Sequence, residues 1–228
     1  MNENGFSLEW ESIYKSGDQY TLWPWSDLVS LVSIYFKNKK DMSKLNVLEL
    51  GCGVGANIPF FKSLGVNYYA IEGSETAVNH IHMNFPDLSN SVIKGDFTKS
   101  SSYDFNLKFD LVVDRSAVTL NTGMSIKNTM DNVLDILKPE GIFIGIDWFS
   151  TNHSDFTLGT KDSDDNTYFD IPYGQFAGVG RVHFFNEKEF KKFFLPGFEI
   201  LMLKEKIDEV VIPRKNHKGA SYNFVLKK

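Results

Sequence analysis

The sequence predicts an α/β fold: a Rossmann-like, doubly wound, seven-stranded sheet, mostly parallel with an antiparallel C-terminal strand. Two observations predict it. Short β-branched and aromatic runs alternate with amphipathic stretches, which is typical of repeated βαβ units. A glycine-rich turn at residues 51–55 also follows the first predicted strand. Helical crossovers make the joined strands parallel, and ligands bind such sheets outside the carboxyl ends of the strands.

Each predicted element follows from a local pattern. Residues 28–35 have one apolar face, and Ser26 is predicted to cap that helix. Pro139 is expected to end another helix because proline lacks the backbone donor, and Asn186 with Glu189 resembles a capping box. Strands are predicted over 45–50, 67–71, 91–94, 109–114, 142–148, 198–204 and 221–226, and further helices over 56–64, 74–85, 126–137 and 187–195.

The 228 residues are expected to form one domain, since a single α/β unit commonly reaches this length. We divide the chain into an N-terminal helical cap (1–44), a core that binds the ligand (45–148), a substrate-side insertion (149–182) and a C-terminal helix with strands (183–228). The insertion is predicted to be irregular. Loops of that length in compact domains are usually functional lids or disordered.

Composition excludes several classes of protein. The net charge is −5 and no dense Lys/Arg stripe is present, which argues against a nucleic-acid partner. Cys52 is the single cysteine, so no disulfide can form within the chain. No signal peptide or bilayer-spanning apolar run is visible, and we expect a cytoplasmic protein without a membrane partner. No group of residues has metal-ligand spacing, and the oligomeric state is left open.

Acidic residues are predicted to surround the glycine turn. Glu49 lies in the first strand, Glu72 ends the second, Asp96 follows the third and Asp114 ends the fourth. Four carboxylates are therefore expected at one edge of the sheet, where they would repel a pyrophosphate and attract a cationic ligand. The glycine spacing, G-x-G-x-G, also differs from the G-x-G-x-x-G of dinucleotide-binding folds.

Residues 48–55, Leu-Glu-Leu-Gly-Cys-Gly-Val-Gly, resemble the first motif of the class I S-adenosylmethionine-dependent methyltransferases. The resemblance covers about residues 45–150. Residues 109–114 resemble the fourth-strand motif, and residues 137–141 resemble the turn before strand five. Glu140 stands there where the family usually has glycine.

The resemblance implies S-adenosylmethionine as the cofactor. It implies that Glu49 and the backbone of Gly51 hold the methionine ammonium, that Glu72 binds the ribose, and that Asp96 and Phe97 contact the adenine. Trp23 belongs to a segment, Trp-Pro-Trp, that resembles one closing over the cofactor. The expected cofactor residues are therefore Trp23, Glu49, Gly51, Cys52, Gly53, Gly55, Glu72, Gly73, Asp96, Phe97 and Asp114. Cys52 fits there as a small residue rather than as a nucleophile.

Two residues are candidates for catalysis. His183 could act as a general base, because histidine titrates near neutrality, but a structural histidine fits the same position. Asp147 ends the fifth strand near the expected acceptor, where it could instead cap the strand. Asp114 and Arg115 could contact a ligand or form a buried ion pair. The insertion aromatics could line a flat site or pack the loop down.

The predicted function is methyl transfer from S-adenosylmethionine to a small molecule. Residues 23–29 and 114–117 resemble methyltransferases associated with sugar pathways, which implies a sugar or related metabolite as the acceptor. A nicotinamide-dependent oxidoreductase on a similar fold and a non-catalytic S-adenosylmethionine-binding module are the alternatives. A protein substrate also stays open at this point.

Overall fold

The computed structural model describes residues 5–228 apart from the side chain of Lys215, and it confirms the predicted fold class. The main sheet contains β1 (Asn46–Leu50), β2 (Asn67–Glu72), β3 (Val92–Lys94), β4 (Phe109–Arg115), β5 (Leu137–Phe149), β9 (Glu199–Val211) and β10 (Arg214–Lys227). The helices are α1 (Leu8–Lys15), α2 (Ser26–Tyr35), α3 (Ile58–Leu64), α4 (Glu75–Asn84), α5 (Gly123–Ile136) and α6 (Glu187–Phe194).

The strand order of the main sheet is β3-β2-β1-β4-β5-β10-β9. The first five strands along the chain pair in parallel, whereas β10 pairs antiparallel with both β5 and β9. The chain runs outward from β1 in one direction to β3, then returns to β4 on its other side. The carboxyl ends of β1 and β4 therefore form the switch point at which such sheets bind ligands.

Apolar side chains alternate along the strands and build one core on each face of the sheet. On one face, Leu48, Leu50 and Val112 pack with α5 and α6. On the other face, Val47 and Val113 pack with α2, α3 and α4. Helices therefore cover both faces, as a doubly wound sheet requires.

Three predicted caps have different outcomes. The side chains of Ser74 and Asn186 accept backbone hydrogen bonds from Ala77 and Glu189, as N-caps do. The prediction for Ser26 is wrong, because Ser26 is the first helical residue and the cap position belongs to Trp25, without a side-chain bond.

Helix α5 begins at Gly123, three residues earlier than predicted, and ends directly in β5. Thr122 caps it through a bond from the backbone N–H of Ser125. Residues 138–141 form a bulge against β4, which pairs Phe109 with Leu137 and Leu111 with Ile142. Pro139 thus ends the helix inside an extended segment rather than in a separate turn.

The insertion is largely irregular, as predicted, but three short strands interrupt it. It contains β6 (Thr160–Lys161), β7 (Thr167–Phe169) and β8 (Val182–His183), which form a small antiparallel sheet. Strands of two or three residues carry no periodic pattern that a sequence could show. The buried aromatics of this unit pack on one another around Phe184: Phe149, Tyr168 and Phe176.

The C-terminal hairpin is much longer than the predicted strands 198–204 and 221–226. β9 and β10 stay paired beyond the edge of β5, for example between Asp208 and Gly219. The outer half is largely polar, so it lacks the apolar alternation that marks a strand. None of the helices within residues 5–228 is long and apolar enough to cross a membrane.

The tightest packing in the sheet predicts a stability effect at Gly145. A Cβ on this residue would lie 2.1 Å from Cζ of Phe224, whose buried ring packs edge-to-face on Trp148. Gly145→Ala should therefore lower the free energy of unfolding by about 1–3 kcal/mol through overpacking. Urea unfolding followed by circular dichroism measures this. Gly219→Ala is the control, since its nearest neighbour is 3.7 Å away, and equal losses in both variants would contradict the prediction.

Candidate functional site

A cavity of about 480 Å³ lies at the carboxyl ends of β1, β2, β4 and β5. Its walls come from the N-terminal segment, the glycine turn, the strand ends, the insertion and the C-terminal hairpin. Seven of the expected cofactor residues line it: Glu49, Gly51, Cys52, Gly53, Glu72, Gly73 and Phe97.

The glycine turn brings bare backbone to the cavity wall. Gly51 and Gly53 have φ angles of 64° and 55°, which favour glycine. A Cβ on Gly51 would lie 2.2 Å from Cβ of Ala117, and one on Gly53 would lie 2.6 Å from the hydroxyl oxygen of Tyr14. The turn therefore requires glycine at both positions, because Ala117 and Tyr14 fill the space that a side chain would need.

Glu72 is buried at the end of β2. Its carboxylate accepts hydrogen bonds from the backbone N–H of Gly53 and of Ser74, both at 2.8 Å. Burial raises the pKa of Glu72, while these backbone bonds oppose the rise. A carboxylate has about four acceptor positions, so Glu72 can still accept a bond from a ligand hydroxyl.

Glu49 is buried beside it, at the end of β1. It accepts bonds from Asn57 Nδ2 at 2.8 Å and from the Tyr68 hydroxyl at 2.7 Å. Burial raises the pKa of Glu49, the two hydrogen bonds oppose this, and the charge of Glu72 raises it further. Two acids on one wall favour a ligand that carries positive charge.

Helix α1 and the residues before it also contribute to the cavity wall, and no motif in the sequence indicated this. Phe6, Ser7, Trp10 and Tyr14 all line the cavity next to the glycine turn. The buried Nε1 of Trp10 has no hydrogen-bond partner within residues 5–228. A buried indole N–H without a partner is unfavourable, so a ligand atom at this wall would satisfy it.

Two of the four expected carboxylates do not line the cavity. Asp114 pairs in register with Leu50, so its side chain lies on the opposite face of the sheet from Glu49. It accepts bonds from Trp148 Nε1 and from two backbone N–H groups, and burial raises its pKa to about 7 against these bonds. Asp96 instead accepts from the backbone and hydroxyl of Thr98.

Two other expected cofactor residues also lie outside the cavity. Gly55 packs toward Ile58 at the start of α3. Trp23 is 77% exposed, contrary to the expectation that it covers the cofactor. Trp25, two residues later, lines the cavity instead, because its backbone N–H donates to Asn57 Oδ1 and holds this segment against the glycine turn.

One end of the cavity, the charged end, is formed by Arg115, Asp147 and Lys206. Asp147 accepts from Arg115 Nε at 3.3 Å and from Lys206 Nζ at 3.1 Å. The Arg115 guanidinium also lies 3.7 Å over the ring of Trp25, within reach of a cation–π contact. Arg115 is thus paired with Asp147 and not with Asp114, so the ion pair that was one of the two alternatives for Asp114 and Arg115 does not form.

Backbone strain accumulates at the same end. Asp147 has a φ of 55° and Ser116 a φ of 61°, a region costly for residues other than glycine. Asn223 Oδ1 accepts the backbone N–H of Asp147 at a bulge in β10, and the Ser116 hydroxyl donates to the Asp147 carbonyl. The fold therefore imposes the direction of the Asp147 side chain.

His183 does not line the cavity. It is 1% exposed, its Nδ1 lies 2.7 Å from the Thr167 hydroxyl, and Asp164 and Glu189 lie 3.5 and 3.4 Å from its ring nitrogens. Burial lowers the pKa of His183, but the two acids outweigh burial and raise it. The histidine links β8 to α6 and the loop before β7, as its structural interpretation predicted.

A second histidine lies on the cavity wall. His153 Nδ1 accepts the backbone N–H of Asp155, so its other nitrogen carries the proton and donates to Gln175 Oε1 at 3.1 Å. His217 Nε2 lies 2.9 Å from Asp155, and these three side chains bring their ligand-type atoms within 4.8 Å of one another. Hydrogen bonds within the protein account for the ring nitrogens of His153, the Asp155 carboxylate and Nε2 of His217. The sequence separates His217 too far for spacing to show this group.

The comparisons with known proteins agree with this site. A family described as "Methyltransferase domain" matches residues 24–200. The chain therefore belongs to the methyltransferase-domain family. A comparison with curated proteins gives no match.

Solved structures share the fold at low identity. An S-adenosylmethionine-dependent methyltransferase of Methanosarcina mazei has a TM-score of 0.65 and 16% identity over 86% of this chain and 96% of that one. The N-methyltransferase NodS of Bradyrhizobium japonicum, with S-adenosylhomocysteine, has a TM-score of 0.64 and 12% identity over 97% and 99%. The 1,6-didemethyltoxoflavin-N1-methyltransferase of Burkholderia thailandensis has values of 0.63 and 14% over 95% and 84%.

The protein is a class I S-adenosylmethionine-dependent methyltransferase. The family assignment decides against the nicotinamide-dependent oxidoreductase. The cavity fits the cofactor on three counts: a glycine turn that contributes backbone to its wall, two acids for a cationic ligand and the Trp10 N–H, which has no partner within residues 5–228.

The environment of His183 predicts a pH-dependent stability effect. Because its folded-state pKa is raised, its stabilising contribution is present below its unfolded pKa and is lost as the pH rises through the folded pKa. His183→Gln should lower the free energy of unfolding by about 2 kcal/mol at pH 6 and by less at pH 9. Urea titrations at both pH values measure this, and S-adenosylhomocysteine affinity should stay unchanged. A pH-independent loss would contradict the prediction.

Proposed function

We propose that the protein transfers a methyl group from S-adenosylmethionine to a small molecule, a sugar or related metabolite, at the charged end of the cavity. One observation carries this proposal. A single cavity joins the glycine turn and Glu72 to Arg115, Asp147 and Lys206, so cofactor and acceptor can meet inside it. The likeness in fold to a methyltransferase whose structure holds 1,6-didemethyltoxoflavin with S-adenosylhomocysteine supports a small-molecule acceptor.

The cofactor half uses the residues nearest the glycine turn. Glu72 accepts the ribose hydroxyls with its free acceptor positions, and Glu49 with the backbone of Gly51 faces the methionine ammonium. Phe97 packs against the adenine, and Gly73 lines the cavity next to Glu72. When bound, S-adenosylmethionine supplies a methyl group on a sulfonium that is already a good leaving group.

The acceptor half combines aromatic walls with charged side chains. Phe149 and Phe176 form an apolar surface, whereas Arg115 and Lys206 flank the carboxylate of Asp147. Flat apolar rings beside fixed hydrogen-bonding groups suit a ring that carries hydroxyls. The protein then contributes alignment and exclusion of water, which are large parts of the rate enhancement for a direct displacement.

Asp147 is the proposed acceptor-contacting carboxylate, because its direction is imposed by the backbone and its charge faces the cavity. His183 lies outside the cavity, so its position does not support a role as a general base. His153 lies on the acceptor wall, but both of its ring nitrogens are engaged within the protein, by Gln175 and by the backbone of Asp155, so it is not a free base.

Removing the Glu72 carboxylate tests the cofactor half. Glu72→Ala should weaken S-adenosylhomocysteine binding by about 10- to 100-fold, since the ribose hydroxyls would lose a charged partner. Isothermal titration calorimetry measures the dissociation constant, and circular dichroism checks folding. Glu75→Ala is the matched control, because Glu75 pairs with Lys94 at the surface. Equal affinities for both variants would overturn the role of Glu72.

Product release tests catalysis and the acceptor class together. The protein should release S-adenosylhomocysteine when mixed with S-adenosylmethionine and the metabolite fraction of a cell extract, or with a panel of sugar nucleotides. Asp147→Asn should lower kcat/KM about tenfold or more, while cofactor affinity changes little, because only the acceptor contact is altered. Release with the protein fraction alone would contradict a small-molecule acceptor, and no release with any acceptor would favour the non-catalytic module.

A further inference from the structure

The residue after Glu72 has no side chain, yet the space above it is filled. A Cβ on Gly73 would lie 2.0, 2.4 and 2.6 Å from three ring atoms of Phe6. The Phe6 ring therefore packs directly on the backbone at the end of β2. It occupies the volume that a side chain at position 73 would take.

Phe6 also belongs to the cavity wall. Phe6, Gly73 and Phe97 all line the cavity next to Glu72, the proposed ribose ligand. The chain before Phe6 passes the end of β3, because a Cβ on Gly5 would lie 2.3 Å from Oδ2 of Asp96. The N-terminal segment thus runs along the edge of the site between the ends of β2 and β3, where the proposed arrangement of the cofactor places the base.

Helix α1 anchors this segment on the other side of Gly73. Glu11 accepts hydrogen bonds from the Ser74 hydroxyl at 2.5 Å and from the Thr76 hydroxyl at 2.8 Å, at the start of α4. Partial burial raises the pKa of Glu11, but these bonds outweigh it and lower the pKa to about 2. Glu11 is therefore ionised at neutral pH, and negative charge is favourable at a helix N-terminus.

We infer that Phe6 supplies the apolar wall of the adenine subsite that Gly73 leaves open, so that the N-terminal segment completes the cofactor site. This inference rests on the proposed arrangement of the cofactor. Purine rings gain binding free energy from contact with a flat aromatic face. In this chain, that face comes from a residue far from β2 in sequence and is placed there by α1.

A pair of substitutions tests the inference directly. Phe6→Ala should weaken S-adenosylhomocysteine binding by about 10- to 100-fold, the range of one base–aromatic contact. Gly73→Leu should also weaken binding, because its side chain collides with the Phe6 ring. The double variant Phe6→Ala/Gly73→Leu should bind more tightly than either single variant, since leucine then fills the space that the ring has left.

The affinity for adenosine distinguishes a direct contact between Phe6 and the base from a general disturbance of the N-terminal segment. If Phe6 contacts the adenine, Phe6→Ala weakens adenosine and S-adenosylhomocysteine by the same factor. An unchanged adenosine affinity would show that Phe6 acts elsewhere and would overturn the inference. Leu8→Ala is the matched control, because Leu8 lies in the same segment with an exposed side chain and should leave both affinities unchanged.

The outcomes also separate this inference from the proposed function. If the unmodified protein binds no S-adenosylhomocysteine, the cofactor arrangement itself is wrong. If it binds and Phe6→Ala binds equally well or more tightly, only the role of Phe6 is overturned; tighter binding would mean that the ring occupies the place of the base. Thermal unfolding of each variant confirms that the affinities refer to folded protein.

Discussion

Two carboxylates buried side by side constrain the whole site. Glu49 and Glu72 end neighbouring parallel strands, and each loses water on folding. Burying a charge is costly unless donors surround it. The surrounding structure provides them: the backbone of Gly53 and Ser74 for Glu72, and Asn57 with Tyr68 for Glu49. The glycine turn, the start of α4 and the segment before α3 are thereby tied to the same wall.

At the charged end of the cavity, which is the proposed acceptor site, charged side chains pair with one another. The charged groups come from separate elements, Arg115 from β4, Asp147 from β5 and Lys206 from β9, and the Asp147 carboxylate pairs with both cations. The left-handed backbone at Ser116 and Asp147 is held by hydrogen bonds from neighbouring strands. Backbone strain of this kind persists only where the surrounding structure holds it. It is typical of positions at which a side chain has to point in one direction.

Much of the cofactor half could be predicted from sequence. The strand–glycine–helix pattern located the turn, and the acids at strand ends located Glu49 and Glu72. Asp114 was misplaced for a geometric reason. Glu49 pairs with Ala70 and Val113, whereas Asp114 pairs with Leu50, and paired residues of a sheet lie on the same face. A shift of one residue in the register moves a side chain from the cavity to the core. Sequence spacing does not define that register.

The sequence by itself determined the fold class, the family and the acidic glycine turn, because these depend on local periodicity and short motifs. Only the tertiary structure decided what else surrounds the ligand. Phe6, Tyr14, His153 and Lys206 reach the cavity through α1, the insertion and the long hairpin. Those elements are placed by packing between distant parts of the chain, which no local pattern encodes. Because of the same packing, His183 and Trp23 lie outside the cavity, whereas Trp25 lines it.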